Sequence, residues 1–465
     1  MSYGRRVIYS DAKEITAENV VEEVRKAYLV HGANQSEIKK LHEIYRGKTD
    51  ILQKVKEVRE SINHKINENR AWEIVNFYVG YLFGEPIQYV RRENTKRNDA
   101  DDAIAADINA LNSYMFAAGK STCDKNLGEW MFIGGHGYRM TLPNKKWQKD
   151  GDEAPFTVRA LRPAQTFIIY STDVDEHELA AVHVVVRENN DVVFSVYTDK
   201  FQFEFTDFGE VKTRPNPMRM IPIVEYPLEA SRLGVFEVVV DLLNMLNELQ
   251  SNRMDDIVQF VNSFLAILGG ELNEETYAKL NEWKTLCLPE GTDAKYLSGS
   301  LSQADVQTLK NDILDAIVEI TGIPTRGNGS SESSNGVAVQ LRSGWQDAEA
   351  RAKCVETMFK AAEAKTLKLV LRILRDTTGT SLKLADIDTH FTRRNYENIA
   401  SKSQVLVAML NNPKIHPELA FAHCGMFPDP ESAYLQSKDY YEEQMKKWEP
   451  VEVDEGDDGE GEVNV

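Results

Sequence analysis

The sequence DVQTLKNDILDAIVEI (residues 305–320) is followed by TGIP (321–324), by TRGNGSSESSNG (325–336), and then by a second helical run to about residue 375. Pro324 ends the first run, because a proline ring cannot continue a regular helix. Glycine and serine leave the following segment without an apolar side chain that could anchor it. The stretch therefore predicts two helices joined by a mobile loop, which folding alone rarely requires.

The second helical run, 337–375, indicates an elongated molecule. At about 1.5 Å per residue it would extend roughly 55 to 60 Å, which is more than a compact domain generally needs. The chain has 465 residues, and that length exceeds what a single hydrophobic core usually supports. We expect two or three domains, or one elongated chain that crosses several layers.

The charge balance limits the kinds of partner. Lys and Arg total 54 against 73 Asp and Glu, which gives a formal net charge of −19. This charge disfavours tight, nonspecific wrapping of nucleic acid, because such wrapping depends on neutralising phosphates. It is compatible with DNA that slides, since repulsion from a wall of like charge prevents sticking.

Cysteine spacing and hydropathy argue against metal clusters, disulfides and membrane spans. The cysteines stand far apart without a C-x-x-C pair, so neither a zinc cluster nor a disulfide framework is indicated. No stretch approaches the roughly 20 apolar residues that span a bilayer, and the N-terminus lacks the apolar core of a signal peptide. We expect a soluble, intracellular protein with no cofactor, no bound metal and no membrane contact.

Hydrophobic periodicity divides the chain into helical and strand-rich parts. Residues 18–84 follow helical spacing and include Ile62 and Ile66. Helix returns at 234–268, and the acidic residues 449–465, which lack aromatic side chains, are expected to be disordered. Short strand-like runs lie between the helical parts, at 166–170, 181–186 and 192–197. The predicted class is α+β and predominantly helical.

Three short motifs could carry chemistry, and each has a more ordinary interpretation. Gly-Lys-Ser-Thr at 119–122 resembles the end of a phosphate-binding loop, but Tyr114 stands where the first glycine belongs, so a surface helix end is favoured. The glycines of 134–137 favour a hairpin over an anion-binding nest. His416 and the His-Cys pair at 423–424 lack further ligands for zinc. No nucleophile, base and orienting acid can be assigned, so an enzyme is not predicted.

The predicted helix 234–268 carries acids at intervals of seven residues. Asp241, Glu248 and Asp255 share one face, because a helix drifts only about 20° over seven residues. Asn252 extends this polar stripe. The stripe is either the solvated face of an amphipathic helix or, in a ring of copies, the negatively charged lining of a hole.

Several separated segments together resemble the portal proteins of tailed bacteriophages, specifically the family found in long-tailed phages of Gram-positive hosts. Their order and spacing over most of residues 40–445 carry the resemblance. The segments are YRGKTDI (45–51) with Asn69, EIV (73–75), GYLFGEP (80–86), LRP (161–163), FIIY (167–170), residues 180–186, IPIV (221–224) and SNGVA (334–338).

The resemblance implies a portal-protein fold of wing, stem, clip and crown, assembled as a ring, typically of twelve subunits, around a central channel. Carried over by position, the parts are N-terminal helices and an α+β wing (1–233), a stem helix (234–268), a clip (269–301), a second stem helix (302–322), a tunnel loop (323–336), a long helix that returns to the wing (337–392), a crown (393–448) and an acidic tail (449–465).

The same resemblance implies a function and a set of site residues. The ring would stand at the portal vertex of the capsid, conduct double-stranded DNA without sequence specificity during packaging and ejection, and hydrolyse nothing itself. Implied partners are terminase, a head-tail adaptor, and the major capsid and scaffolding proteins, with assembly in the host cytoplasm. The channel-facing residues would be Asp241, Glu248, Asn252 and Asp255 of the stem, and Thr325, Arg326, Gly327, Asn328, Gly329, Ser330, Ser331, Glu332, Ser333, Ser334, Asn335 and Gly336 of the tunnel loop.

Two rival functions remain open at the level of sequence, namely a DNA-packaging ATPase subunit and a capsid or scaffold component without a channel. Arg326 is the only cation of the tunnel loop. Any grip on DNA would therefore rely on backbone and hydroxyl contacts to phosphate, which carry no sequence information.

Overall fold

The computed structural model describes residues 4–57, 60–92, 101–149, 151–188, 191–206, 210–261, 264–268, 293–297, 303–324, 344–393, 399–427 and 430–448. The chain forms two compact units, which are Met1–Arg393 and Arg394–Val465. The predicted tunnel-loop residues 325–336, most of the predicted clip and the acidic tail lie outside the described residues.

Helices contain about twice as many of the described residues of the first unit as strands do. They are α1 (Val20–Tyr45), α2 (Arg70–Phe83), α3 (Asp101–Ala117), α4 (Lys120–Gly134), α5 (Val240–Val261), α6 (Gln303–Thr321) and α7 (Trp345–Thr377). Short 3-10 helices lie at Asp50–Gln53, Glu237–Val239 and Leu384–Asp386.

The strands lie mostly between α4 and α5. They are β1 (Ile8–Ser10), β2 (Gln88–Arg91), β3 (His136–Pro143), β4 (Phe156–Leu161), β5 (Thr166–Ser171), β6 (Glu178–Val186), β7 (Val192–Tyr197), β8 (Phe201–Thr206), β9 (Lys212–Pro215), β10 (Ile223–Pro227), β11 (Phe264–Leu268), β12 (Asp293–Leu297) and β13 (Ile387–His390).

These strands form two larger sheets and two ribbons. The 6-stranded sheet has the order β1-β5-β6-β7-β8-β9, and the 3-stranded sheet has the order β10-β3-β4. β11 pairs with β12 and β13 pairs with β2, both antiparallel. Only β1 and β5 pair in parallel among these described neighbours. The strands predicted at 166–170, 181–186 and 192–197 are thus present as β5, β6 and β7.

Successive side chains along the strands of the 6-stranded sheet point to opposite faces, and each face packs in a different hydrophobic cluster. On one face of the 6-stranded sheet, Phe167 and Phe194 pack in a cluster with Val20 and Val24 of α1. On the other face, Ile168 joins a cluster with residues of the 3-stranded sheet. This alternation follows from the two-residue period of a strand, which sends neighbouring side chains to opposite faces.

The largest core surrounds α7. Its members come from α2, α4, α5, α6 and the sheet strand β10, and they pack on side chains such as Phe359 and Val370 of α7. The long helix is therefore a central rod of the first unit. Its described part begins at Trp345 rather than at residue 337, and residues 337–343 lie outside the description.

The described part of the second unit is helical, with α8 (Ile399–Leu410), α9 (Pro417–Cys424) and α10 (Pro430–Trp448). α9 begins with proline at its first position, where a missing N–H costs nothing. The His416 ring accepts a hydrogen bond from the Glu418 backbone N–H at 3.3 Å. Within the described residues, His416 thus caps a helix and Cys424 is buried.

Two predicted helical spans are too long. Ile62 and Ile66 lie in an irregular segment between the 3-10 helix Asp50–Gln53 and α2, although their spacing suggested a helix. The predicted helix 234–268 ends at Val261, and Phe264–Leu268 is a strand. A short apolar run such as FLAIL fits either a helix or a strand, and antiparallel pairing with β12 decides the outcome.

The glycines of 134–137 do not form the predicted hairpin. Gly134 ends α4, Gly135 is its left-handed cap with φ +81°, and His136 begins β3. A Cβ on Gly135 would lie 2.0 Å from the carbonyl oxygen of Arg232. Glycine is required here by a tight turn from helix to strand, because only glycine tolerates both the left-handed backbone and this close approach.

Candidate functional site

Helices α5 and α6 lie within the segments 234–268 and 302–322, for which a stem role was predicted. A third segment lies along α5. We call residues 54–57 and 60–68 the strap. Side chains of α5 accept hydrogen bonds from strap backbone N–H groups: Asp255 from His64 at 2.7 Å, Ser251 from Ile66 at 2.9 Å and Asn247 from Glu68 at 2.8 Å.

This ladder of contacts follows from two matching repeats. Four helical residues rise about 6 Å, and two extended residues rise about 6.6 Å. Acceptors at every fourth residue of α5 therefore meet donors at every second residue of the strap, which runs in the opposite direction. The ladder satisfies backbone groups that a helix at 64–68 would have satisfied internally, and this explains why 64–68 is not helical.

Asp255 is the most heavily bonded member of the ladder. Besides the His64 backbone, its carboxylate is bound by the Lys56 ammonium at 2.5 Å, the Lys54 ammonium at 3.3 Å and the His64 ring at 2.8 Å. Burial raises the pKa of Asp255, but the hydrogen bonds from Lys56 and from the His64 backbone outweigh burial and hold this pKa well below its usual range.

The structure separates Asp255 from the acidic stripe that the sequence predicted. Asp241 and Glu248 are exposed, whereas Asp255 is only 1% exposed beneath the strap. Asn252 is half-buried and accepts a hydrogen bond from Lys54 at 2.7 Å. The exposed acid near this end of α5 is Asp256, about 100° further round the helix. The spacing grouped Asp255 with Asp241 and Glu248 but could not show the strap that covers Asp255.

Every exposed charged residue of α5 and α6 is an acid. The exposed acids are Asp241, Glu248 and Asp256 on α5, and Asp305, Asp312, Asp315 and Glu319 on α6. The basic residues turn inward. Arg253 of α5 donates to Gln303 at 2.8 Å and Gln307 at 3.0 Å on α6, and Lys310 of α6 binds Glu68 of the strap at 2.8 Å.

Three of the α6 acids, at 305, 312 and 319, repeat the spacing of seven found on α5. The sequence interpretation missed this second stripe, although the same spacing rule could have found it. Acids in the last turn of a helix oppose the helix dipole, so local stability does not explain Glu319.

The Gly-Lys-Ser-Thr motif is not a surface helix end. Lys120, the first residue of α4, is buried, and its ammonium lies 2.6 Å from Asp124 and 3.3 Å from Glu363. The positive charge of the Lys120 ammonium is thus already paired with two carboxylates and is not available to a phosphate. The motif therefore contributes to a buried ion network and does not present an open phosphate cradle.

That network joins α4, α7 and both strands β3 and β10. Arg139, fully buried, pairs with Asp124 and with Glu363, the latter at 2.5 Å. Tyr226 donates to Glu363 at 2.8 Å, and Tyr89 donates to its other oxygen at 2.5 Å. Burial raises the pKa of Glu363, but the charges of Arg139 and Lys120 outweigh burial and hold the pKa below its usual range.

Potential metal ligands converge at one place among the described residues, the turn between β5 and β6. There Asp173, Asp175 and His177 lie close together, and all are exposed. His177 already pairs with Asp175 at 3.1 Å. None of the described helices is both long and apolar enough to cross a membrane.

The arrangement thus consists of two helices with acidic outer faces, joined through α7 to a strand-rich region. A family model described as "Phage portal protein, SPP1 Gp6-like" matches residues 28–451. Because this match covers most of the chain, the chain belongs to the SPP1 Gp6-like family of phage portal proteins. The predictions of a virion portal protein and of a predominantly helical α+β fold are confirmed.

The chain is also similar to chains in solved structures of gene transfer agent particles. The neck of the empty particle, computed with C6 symmetry, is 13% identical, with a TM-score of 0.47 over 77% of this chain and 90% of that one. The neck of the native particle, computed with C12 symmetry, is 13% identical, with a TM-score of 0.45 over 77% and 90%. The virion of the native particle gives 13% identity and a TM-score of 0.48 over 84% and 94%. No curated protein matches the chain significantly.

Proposed function

We propose that copies of this chain form a ring whose central channel conducts double-stranded DNA during packaging and ejection, with α5 and α6 as the stem. One observation carries this proposal beyond family membership: every exposed charged residue of α5 and α6 is an acid, while Arg253 and Lys310 bond to neighbouring segments. Repeated around a ring, such faces would repel phosphates and so favour sliding over adhesion.

The ring would contain twelve copies, and DNA would pass without regard to sequence. Asp241 and Glu248 are the residues we assign to the channel wall, with Asn252 at its edge, while Asp255 supports the wall from beneath. Residues 325–336 are proposed as the tunnel loop. Terminase, a head-tail adaptor, and the major capsid and scaffolding proteins are the proposed partners, and assembly would take place in the host cytoplasm.

A direct test of the channel wall reverses its charge. Asp241→Lys with Glu248→Lys would introduce cations that bind phosphate, so we expect rings to form normally but to package less DNA per prohead at low salt, with recovery as salt is raised. Lys substitutions at Asp173 and Asp175, exposed acids of the β5–β6 turn, are the matched control. Equal packaging by both variants at all salt concentrations would contradict the assignment.

We further propose that the ring hydrolyses nothing itself. The buried position of Lys120 between two carboxylates supports this over the packaging ATPase, which needs an open phosphate site. A radiometric ATPase assay on the purified chain separates the two, since robust turnover by the wild type that Lys120→Met abolishes would favour the ATPase. A capsid or scaffold component would instead give negative-stain images without axial rings.

The proposed tunnel loop has its own test. Deleting residues 327–334 should preserve ring assembly and reduce DNA packaging or retention. Failure of this variant to form rings would show that the segment has a structural role instead.

A further inference from the structure

The C-terminal end of α6 is capped by side chains from two other helices. The last four carbonyls of an α-helix have no partner within the helix, and in α6 each of them is bonded. Gly322 N–H donates to Val318 O at 2.7 Å. Arg351 of α7 donates to Glu319 O at 3.2 Å and to Ile320 O at 2.7 Å. Tyr78 of α2 completes the set by donating to Thr321 O at 2.5 Å.

Tyr78 and Gly322 are both suited to these contacts. Tyr78 is only 2% exposed, and burial raises its pKa to about 12, so its hydroxyl remains a donor. Gly322 has φ +70°, and a Cβ there would lie 2.4 Å from Nε of Arg351. The Arg351 side chain therefore packs closely over the turn that leaves α6.

The same part of α2 also contacts the start of α7. The Trp345 ring lies 6.0 Å from the Phe77 ring and 5.9 Å from the Tyr81 ring, measured between centroids. Tyr81 donates through its hydroxyl to Glu349 at 2.7 Å. Neighbouring residues of α2 thus contact both the helix that precedes residues 325–343 and the helix that follows them.

The points where the chain leaves α6 and enters α7 are adjacent. A Cβ built on Gly344 would lie 3.8 Å from the Cα of Pro324. Residues 325–343 therefore start and end at one place, and α2 together with Arg351 determines that place. Tyr81, which is part of the motif GYLFGEP, is one of the residues that make these contacts.

We propose that Phe77, Tyr78, Tyr81 and Arg351 form a clamp that keeps Pro324 and Gly344 together throughout DNA passage, and that this clamp positions the segment 325–343, which contains the proposed tunnel loop. The proposal rests on the proposed function of residues 325–336. With the clamp closed, the ends of α6 and α7 stay in contact whatever shape the intervening segment takes. Arg351 is a positioning residue in this account, since it acts on helix ends and not on DNA.

A reversible covalent lock tests whether the ends stay together. A Cβ on residue 344 would lie 3.8 Å from the Cα of residue 324, which is close enough for Pro324→Cys and Gly344→Cys to be joined by mild oxidation with loss of two electrons to the oxidant. Residue 344 has a left-handed backbone (φ +78°), so the single variant Gly344→Cys also measures the strain of that substitution. Proheads that carry the double variant are packaged in vitro before oxidation, after oxidation, and after reduction with dithiothreitol. The single-cysteine variants control for the native cysteines, and mass spectrometry measures the disulfide yield.

The clamp predicts a rapid, nearly complete disulfide and the same amount of DNase-protected DNA with the lock closed or open. A low disulfide yield, or a loss of packaging on oxidation that reduction reverses, would overturn the proposal. Failure of the proposed function has a different signature, because a shortened loop would then package normally while the disulfide still formed.

A second comparison isolates Arg351. In the double-cysteine background, Arg351→Ala should slow disulfide formation at least about tenfold, because the end of α6 loses two of its caps and separates from α7 more often. Arg372→Ala is the matched control, since Arg372 lies on the same helix and its bond is to the exposed Asp376. Thermal unfolding midpoints report global stability separately. Equal disulfide rates in the two variants would refute the positioning role.

Discussion

Replacing Asp255 by alanine should release the strap from α5. The substitution removes the acceptor for Lys54, Lys56 and the backbone and ring of His64. Breaking a fully buried ion pair costs about 3–5 kcal/mol. The Lys54 and Lys56 side chains are 15% and 30% exposed, so both ammonium groups can turn toward water. We therefore expect a smaller local loss of about 2–3 kcal/mol, near the range for hydrogen bonds to charged groups.

Amide hydrogen exchange of the assembled protein measures this loss where it occurs. The His64 N–H is bonded to Asp255 and the Ile66 N–H to Ser251. A local loss of about 2–3 kcal/mol corresponds to exchange that is roughly 30 to 150 times faster. The acceleration should be greatest at His64 and decrease toward Glu68, whose acceptor is Asn247.

Asp256→Ala provides the matched control, because Asp256 is the next residue and is exposed. An exposed substitution of this kind should change stability by no more than about 0.5 kcal/mol, so exchange in the strap should remain as in the wild type. Unchanged exchange at His64 in Asp255→Ala, or equal acceleration in both variants, would refute the ladder.

Three further predictions concern the first unit. Gly135→Ala should destabilise the protein by more than about 3 kcal/mol, because its Cβ would lie 2.0 Å from a backbone oxygen. Gly32→Ala has nothing within 4 Å of its Cβ and should stabilise α1 by about 0.5–1 kcal/mol, and thermal unfolding compares the two variants. Glu363→Gln should cost about 3–5 kcal/mol in chemical denaturation by leaving buried cations without their carboxylate, while the exposed Asp347→Asn should have little effect. Burial lowers the pKa of His136 from 6.5 to about 4, so between these pH values the unfolded chain binds a proton at this ring and the folded chain does not. The stability of the folded state should therefore fall as pH decreases from about 6.5 to about 4. His136→Leu should reduce the slope of melting temperature against pH in this range.

Local sequence patterns predicted the parts of the fold that depend on local rules. Short β-rich runs identified β5, β6 and β7, and Pro324 indicated the end of α6, which lies at Thr321. The same rules identified the exposed Asp241 and Glu248, because spacing on a helix depends only on the helical repeat.

The features that the sequence did not predict depend on contacts between segments that are far apart in the chain. Asp255 fits the stripe by spacing, but the strap that buries it comes from residues about 190 positions earlier in the chain. The sequence favoured a surface helix end at Lys120, and its burial could not be predicted because its partner Glu363 is far away in sequence. The run 264–268 became a strand only through pairing with 293–297.

Cryo-electron microscopy of the assembled chain, viewed along its axis and refined to side-chain detail, tests the central claim most directly. We expect a closed ring with a central channel in which Asp241 and Glu248 of every copy face the lumen and Asp255 stays covered by the strap. A ring whose α5 helices turn these acids toward the outside, or particles without an axial channel, would contradict it.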